Sequence, residues 1–213
     1  MIENHAGGAI IKRALQKKEV GVLFLFASLT ILQIYPISVQ PSNTVHDTGD
    51  PLLNAWILSW VSYQLFHSPL NLFEANIFYP YHNTLALSEH LLPLALISAP
   101  FYFISNNPIL SCNIVLLLSF ILNAYGMFLL VKHLTQNTMA GLLSGIIFSF
   151  SSYKIMHLSH LQVLSSMWVP FSLLYVHKFF ANEKLKDSIW FSFFFLVQAL
   201  SCLYYGLFFI SIM

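Results

Sequence analysis

Long uncharged apolar runs, separated by short polar turns, dominate the chain. The first, VGVLFLFASLTILQIYPISV, holds about 20 residues free of charge and follows Lys12, Arg13, Lys17 and Lys18. A run of that length predicts a membrane helix at about 20–39, and the absence of a small-residue cleavage site after it predicts that it is retained. ILSCNIVLLLSFILNAYGMFLLV predicts a second span at about 109–131. A third is predicted at about 135–153, where Gly141, Ser144 and Gly145 permit close helix approach. Two more follow, at about 160–178 with Pro170 inside it, and at about 188–213.

The stretch LLPLALISAPFYFI is shorter and carries Pro93 and Pro100, so 91–105 reads either as a short span or as a re-entrant segment. The lysines arbitrate. If it crosses, the inner face keeps Lys12, Arg13, Lys17, Lys18 and Lys154, five of the nine basic residues. If it dips in and returns, Lys132, Lys178, Lys184 and Lys186 join the four N-terminal ones inside, eight of nine, with Lys154 the exception. The excess of Lys and Arg expected on cytoplasmic loops favours the second arrangement, with a cytoplasmic N-terminus.

The outer loop, 40–90, has no Lys or Arg, yet Asp47, Asp50, Glu74 and Glu89 fall inside it. After Pro51 the sequence LLNAWILSWVSYQLF reads as an amphipathic helix with Trp56, Trp60 and Tyr63 on one face, suited to the headgroup boundary. Asn54, Ser59 and Ser62 interrupt the apolar face. Asp50 before Pro51 suits an N-cap. The remainder, through Pro69, Pro80 and Asn83, reads as irregular chain.

Composition agrees with a membrane protein. The chain is 57% hydrophobic and 8% charged, with a mean hydropathy of +0.72, against about 25% charge in an ordinary soluble domain. A net charge of +1 without a basic, aromatic-interleaved patch argues against nucleic acid as a partner. Cys112 and Cys202 both lie in apolar runs and read as buried thiols. The predicted architecture is all-α: one polytopic membrane domain over 1–213, with a large first outer loop carrying interfacial helices.

Two chemistries suit the pair of acids. Asp50, with Asp47 beside it, could take a proton from an acceptor hydroxyl as general base. Alternatively Asp47, Asp50 and Glu89 could hold a divalent metal beside a phosphate leaving group. N-capping by Asp50 and simple solvation of Asp47 are the structural alternatives. In the turn SYKIMHLSHLQ, Lys154, His157 and His160 recur every three residues and on a helix would share a face, a cradle for a phosphate. Snorkelling of Lys154, with the imidazoles bonded to Gln162 or backbone, is the plainer reading. A zinc site from His157, His160 and Glu89 would need convergence the spacing does not establish. Glu74 and Asn76 could bind an acceptor or merely order the loop, and the second is the plainer reading.

The blocks GDPLLNAWILSWVSYQL, FEANIFYPYHNTLALSEHLL and YKIMHLSHLQ together resemble a group of bacterial membrane proteins related to the GT-C superfamily of integral-membrane glycosyltransferases, over about 46–180. The resemblance implies transfer of a sugar, a hexose or pentose, from a polyprenyl-phosphate donor to an acceptor on the outer face of the bacterial inner membrane. It also implies Asp50, then Asp47, as base or metal ligand. Glu89, with His90, would serve the donor phosphate or a metal, and Lys154, His157 and His160 would supply the basic outer turn. The family's Asp-x-Asp or Asp-Glu stands here as Asp47-Thr48-Gly49-Asp50, which leaves metal use open. Relatives are much longer, so the chain is expected to be an N-terminal fragment, inactive alone if truncated. A transporter or envelope-assembly component is the non-enzymatic alternative.

Overall fold

The computed structural model describes residues 19–212; the basic residues Lys12, Arg13, Lys17 and Lys18, and Met213, lie outside the described residues. Within them every regular element is helical and no strand occurs. The helices are α1 (Glu19–Gln33), α2 (Asp50–His67), α3 (Leu92–Ser105), α4 (Pro108–Thr135), α5 (Thr138–Ser149), α6 (Ser152–Met156), α7 (Leu161–Leu164), α8 (Trp168–Asn182), α9 (Leu185–Ser201) and α10 (Leu203–Ile212).

The hairpin corners are written in short polar sequences. Asn106, Gln136 and Glu183 adopt left-handed φ values of 51°, 55° and 53° and end α3, α4 and α8, the stop that lets a helix turn back at once. The next helix is then capped by a side chain where one is available. Asn107 accepts from the N–H of Leu110 at 3.0 Å, with Pro108 opening α4. Asn137 accepts from Met139 and Ala140 at 2.8 and 3.2 Å at the start of α5.

Side-chain ties fix the direction of each helix. Glu19, opening α1, lies 3.6 Å from Lys132 in the last turn of α4. Asn113, near the start of α4, donates to the carbonyls of Pro41 and Thr44 at 2.8 and 2.7 Å. Thus α1 and α4 run antiparallel. α5 returns along α4: Ser149 donates to the Phe120 carbonyl at 2.6 Å, and a Cβ on Gly145 would stand 2.6 Å from the Ala124 carbonyl oxygen. α8 runs with α4, its start tied through Asn123 to Leu164 and Ser166. α9 returns along α8, Phe194 stacking on Phe171 and Trp190 on Tyr175.

The bundle therefore has two chemically different ends. Lys132, His133, Lys178, Lys184 and Lys186 gather at one. The other holds the segment 41–50 and the connection 152–166. Both ends of α3 belong to this second end. Asn107, just past it, donates to the Ser42 carbonyl at 3.1 Å. Glu89, just before it, accepts the Leu203 N–H beyond α9 at 3.2 Å.

Among the described residues two helices are long and apolar enough to cross a membrane: α4, with 28 residues and mean hydropathy 2.4, and the stretch Thr138–Met156, with 19 residues and 1.3. The other predicted spans differ from the sequence reading. Regular helix in 20–39 ends at Gln33 and continues as turns. The span expected at 160–178 is divided into α7 and α8 by the Ser165–Met167 connection, with Ser165 and Ser166 bonded across the bundle. Pro170 sits in the first turn of α8, where its missing N–H has no helical acceptor to lose. The span expected at 188–213 breaks at Cys202, in extended conformation, where the freed Leu203 N–H is taken by Glu89. The stretch expected at 135–153 is one of the two that fit, with α5 and α6 following one another across Phe150 and Ser151.

α2 also departs from expectation. It packs against α3 and α4 rather than lying free at a boundary. Its polar residues face inward: Asn54, Ser59 and Ser62 are buried, and Ser62 donates to the Ala95 carbonyl at 3.1 Å. Trp56 and Trp60 stack along an open cleft of about 360 Å³ that Tyr63 and Tyr102 also line. Within the loop that follows, Glu74 meets His82 at 3.2 Å.

Candidate functional site

The start of α2 lies against the turn between α6 and α7. Gly49 is the N-cap and Asp50 the first helical residue, making no side-chain cap bond. The expected N-capping by Asp50 is thus corrected: Gly49 holds the cap position and the Asp50 carboxylate lies against His160 instead. The His160 Nε2 lies 3.1 Å from Asp50 Oδ2; both side chains are about half exposed. Asp50 Oδ1 makes no hydrogen bond among the described residues.

Asp47 does the structural work. Its Oδ1 accepts the Gly49 N–H at 2.7 Å, closing a local turn. Its Oδ2 accepts the hydroxyl of Ser159. Those two donated bonds, the Ser159 hydroxyl foremost, hold the exposed Asp47 carboxyl below its usual range. The Asn54 amide donates to the Ser159 carbonyl at 3.2 Å and ties the same turn to α2 from inside. Ser159 was not singled out from the sequence, where a serine between two histidines carries no periodic signal, and Asn54 was read only as an interruption of the apolar face of α2.

His157 and His160 stay neighbours, with ring centroids 5.6 Å apart. His157 lies over Tyr153 and its Nδ1 meets the Tyr153 carbonyl at 2.8 Å, the backbone partner foreseen as its plainer role. The Nδ1 of His160 is buried without a partner.

Lys154 does not join the histidines. α6 ends at Met156, so the three residues share no helical face. Lys154 turns inward, 4% exposed, and its Nζ donates to the Val163 and Leu164 carbonyls at 3.3 and 3.1 Å and to Ser166 Oγ at 2.6 Å. Among the described residues no carboxylate lies within ion-pair distance of it. It borders a largely apolar cleft of about 390 Å³ formed with Phe148, Tyr153, Val169 and Tyr205.

Glu89 and His90 make their contacts elsewhere, with Cys202 lying close enough to both Glu89 and Lys154 to feel each charge. Glu89 receives the Leu203 N–H on both oxygens, and burial raises its carboxyl above the usual range despite that bond. His90 Nδ1 accepts the Leu92 N–H at 3.1 Å, and burial lowers its pKa, so the ring stays neutral and holds the start of α3. The expected donor-phosphate set is accordingly divided into three places: His160 with Asp50, Lys154 in its cleft, and Glu89 with His90 at α3.

A divalent metal does not fit these side chains. Both Asp47 oxygens are engaged, Asp50 Oδ2 faces an imidazole, and Glu89 belongs to another contact. Among the described residues no three His, Cys, Asp or Glu side chains converge as a metal would require. Cys112 and Cys202 are buried and free. What the arrangement offers is a half-exposed carboxylate with one oxygen at ion-pair distance from an imidazole, and a docked turn behind it. No protein-family model, curated protein or solved structure matches this chain.

Proposed function

We propose that the chain is a GT-C-type module of a multi-pass glycosyltransferase of the bacterial inner membrane, moving a sugar from a polyprenyl-phosphate donor to an acceptor hydroxyl on the extracytoplasmic side. The observation that carries this reading is the pairing of Asp50 with His160 at 3.1 Å, which joins the outer loop to the 152–166 turn. Asp50 Oδ1 is the base. The acceptor oxygen bonds to the anomeric carbon, its proton passes to Oδ1, and the bond from that carbon to the phosphate oxygen breaks, leaving its electron pair on polyprenyl phosphate. His160 orients Oδ2, and Asp47 with Ser159 holds the turn that presents His160. General-base assistance of this kind contributes roughly 10²- to 10⁴-fold.

The cleft beside Lys154 suits the donor. Its walls are largely apolar, as a polyprenyl chain needs. The polarity of the bundle supports the orientation. Glu19 beside Lys132 puts the start of α1, and with it the end from which the basic N-terminal sequence leads, at the lysine-rich end. Cytoplasmic loops are enriched in such residues. α3, about 21 Å long at 1.5 Å per residue, is shorter than a hydrocarbon core of about 30 Å, and both its ends are tied to the opposite end. This favours α3 as a segment that does not cross.

The test is release of polyprenyl phosphate from a panel of polyprenyl-phosphate hexoses and pentoses by the purified chain in liposomes. Activity in the native chain that Asp50→Asn abolishes, with insertion and melting unchanged, supports the proposal. Equal activity in both removes Asp50 as base.

A further inference from the structure

At the lysine-rich end two clefts meet, sharing His133, Tyr175 and Lys178. The first, of about 410 Å³, continues toward the middle of the bundle along Phe171 and Phe194. The second, of about 320 Å³, opens outward between Lys184 and Lys186. The pair forms one groove graded from aromatic to cationic. Lys132 is already matched by Glu19 at 3.6 Å, but Lys178, Lys184 and Lys186 have no carboxylate within ion-pair distance among the described residues. Lys178 rests over the Tyr175 ring at 4.8 Å, which holds its ammonium at the junction of the two halves. Among the described residues the one acid lining the groove, Asp187, is 5% exposed in the first turn of α9, where the positive end of the helix offsets its charge.

Lysines that merely anchor a helix end spread outward along the interface. These instead come from the ends of α4 and α8 and the start of α9 and converge on one opening. We infer that this groove binds the phosphate headgroup of an acidic phospholipid, with Lys178 and Lys186 at the phosphate and an acyl chain along Phe171 and Phe194. A free phosphate would use the cationic half and leave the aromatic half bare; an acidic lipid fills both. The inference stands apart from the Asp50 site, at the other end of the bundle.

The test uses the full chain in detergent, measured by native mass spectrometry with dioleoyl phosphatidylglycerol, dioleoyl phosphatidylcholine and soluble glycerol phosphate. The phosphatidylglycerol adduct should exceed the phosphatidylcholine adduct and fall about 30-fold in the double variant Lys178→Gln, Lys186→Gln, the factor for two basic residues at an anionic headgroup. The charge-keeping double variant Lys178→Arg, Lys186→Arg should retain it and so separates charge loss from misfolding. Equal retention of the two lipids, or no fall in the glutamine variant, overturns the inference. Glycerol phosphate binding as strongly as the lipid would overturn it in favour of a free-phosphate site.

Discussion

His160 Nε2 stands 3.1 Å from Asp50 Oδ2, so the first turn of α2 and the start of α7 meet through one carboxylate–imidazole contact. A half-exposed pair of this kind contributes no more than about 1 kcal/mol to stability. His160→Ala should therefore melt within a few degrees of the native chain, yet lose about tenfold in sugar transfer, because Asp50 is no longer oriented. Thermal melting and turnover measured on one preparation check this. A large fall in melting temperature with unchanged turnover would make the contact structural.

Asp47 predicts a pH dependence. Its carboxyl is depressed, mainly by the Ser159 hydroxyl, so the docking it supplies is complete above the ordinary carboxylate range. That docking is lost as pH falls through the lowered value. Hydrogen-exchange protection of the Gly49 amide, corrected for intrinsic rate, should drop in acid. In Ser159→Ala the drop should begin at higher pH. Coincident profiles would show that Ser159 does not hold Asp47.

The approach of α5 to α4 predicts a graded glycine series. A Cβ on Gly145 would stand 2.6 Å from the Ala124 carbonyl oxygen and 2.8 Å from the Phe26 ring, whereas one on Gly21 meets nothing within 4 Å. Gly145→Ala should cost roughly 1–3 kcal/mol, read as a lower melting temperature in fixed detergent. Gly21→Ala should be neutral or stabilising.

Lys154 is buried, but none of its acceptors depends on it. Val163 O keeps the Tyr205 hydroxyl at 2.8 Å, Leu164 O keeps the Asn123 amide at 2.7 Å, and Ser166 still donates to Asn123. Burying an ammonium costs several kcal/mol. Lys154→Met should accordingly melt at or above the native temperature in fixed detergent. A marked loss of stability would show that the three bonds of Lys154 hold the 152–166 connection.

Membrane sidedness is directly measurable. Ser152 and Asn182 are exposed, and the two native cysteines are buried. Ser152→Cys should label with an impermeant maleimide from outside, and Asn182→Cys only after permeabilisation. Labelling from the same side would dismantle the proposed topology.

The helical nature of the chain, the span at α4 and the start of α2 at Asp50-Pro51 are legible in the sequence, because uninterrupted apolar length and a proline-led helix start are local signals. The pairing of Asp50 with the 152–162 turn is legible only as a proximity suggested by counting spans. The partner within that turn, His160 rather than Lys154, depends on where α6 ends, and nothing in SYKIM marks that end. The breaks at Ser165–Met167 and Cys202 escaped for a related reason. Serine and cysteine are tolerated inside apolar helices, and the bonds that free them come from residues far along the chain, Asn123 and Glu89. Asn54, Ser59 and Ser62 misled because small polar residues suggest a wet face, while each here finds a carbonyl inside the bundle.

The most direct test of the central claim is chemical rescue of Asp50→Gly. With the purified chain in liposomes and polyprenyl-phosphate sugar as donor, this variant should release less than about a hundredth of the native polyprenyl phosphate. Added formate, a small carboxylate able to occupy the vacated space, should restore a measurable part of that rate in proportion to its concentration. Native-level release by Asp50→Gly without formate would contradict the account.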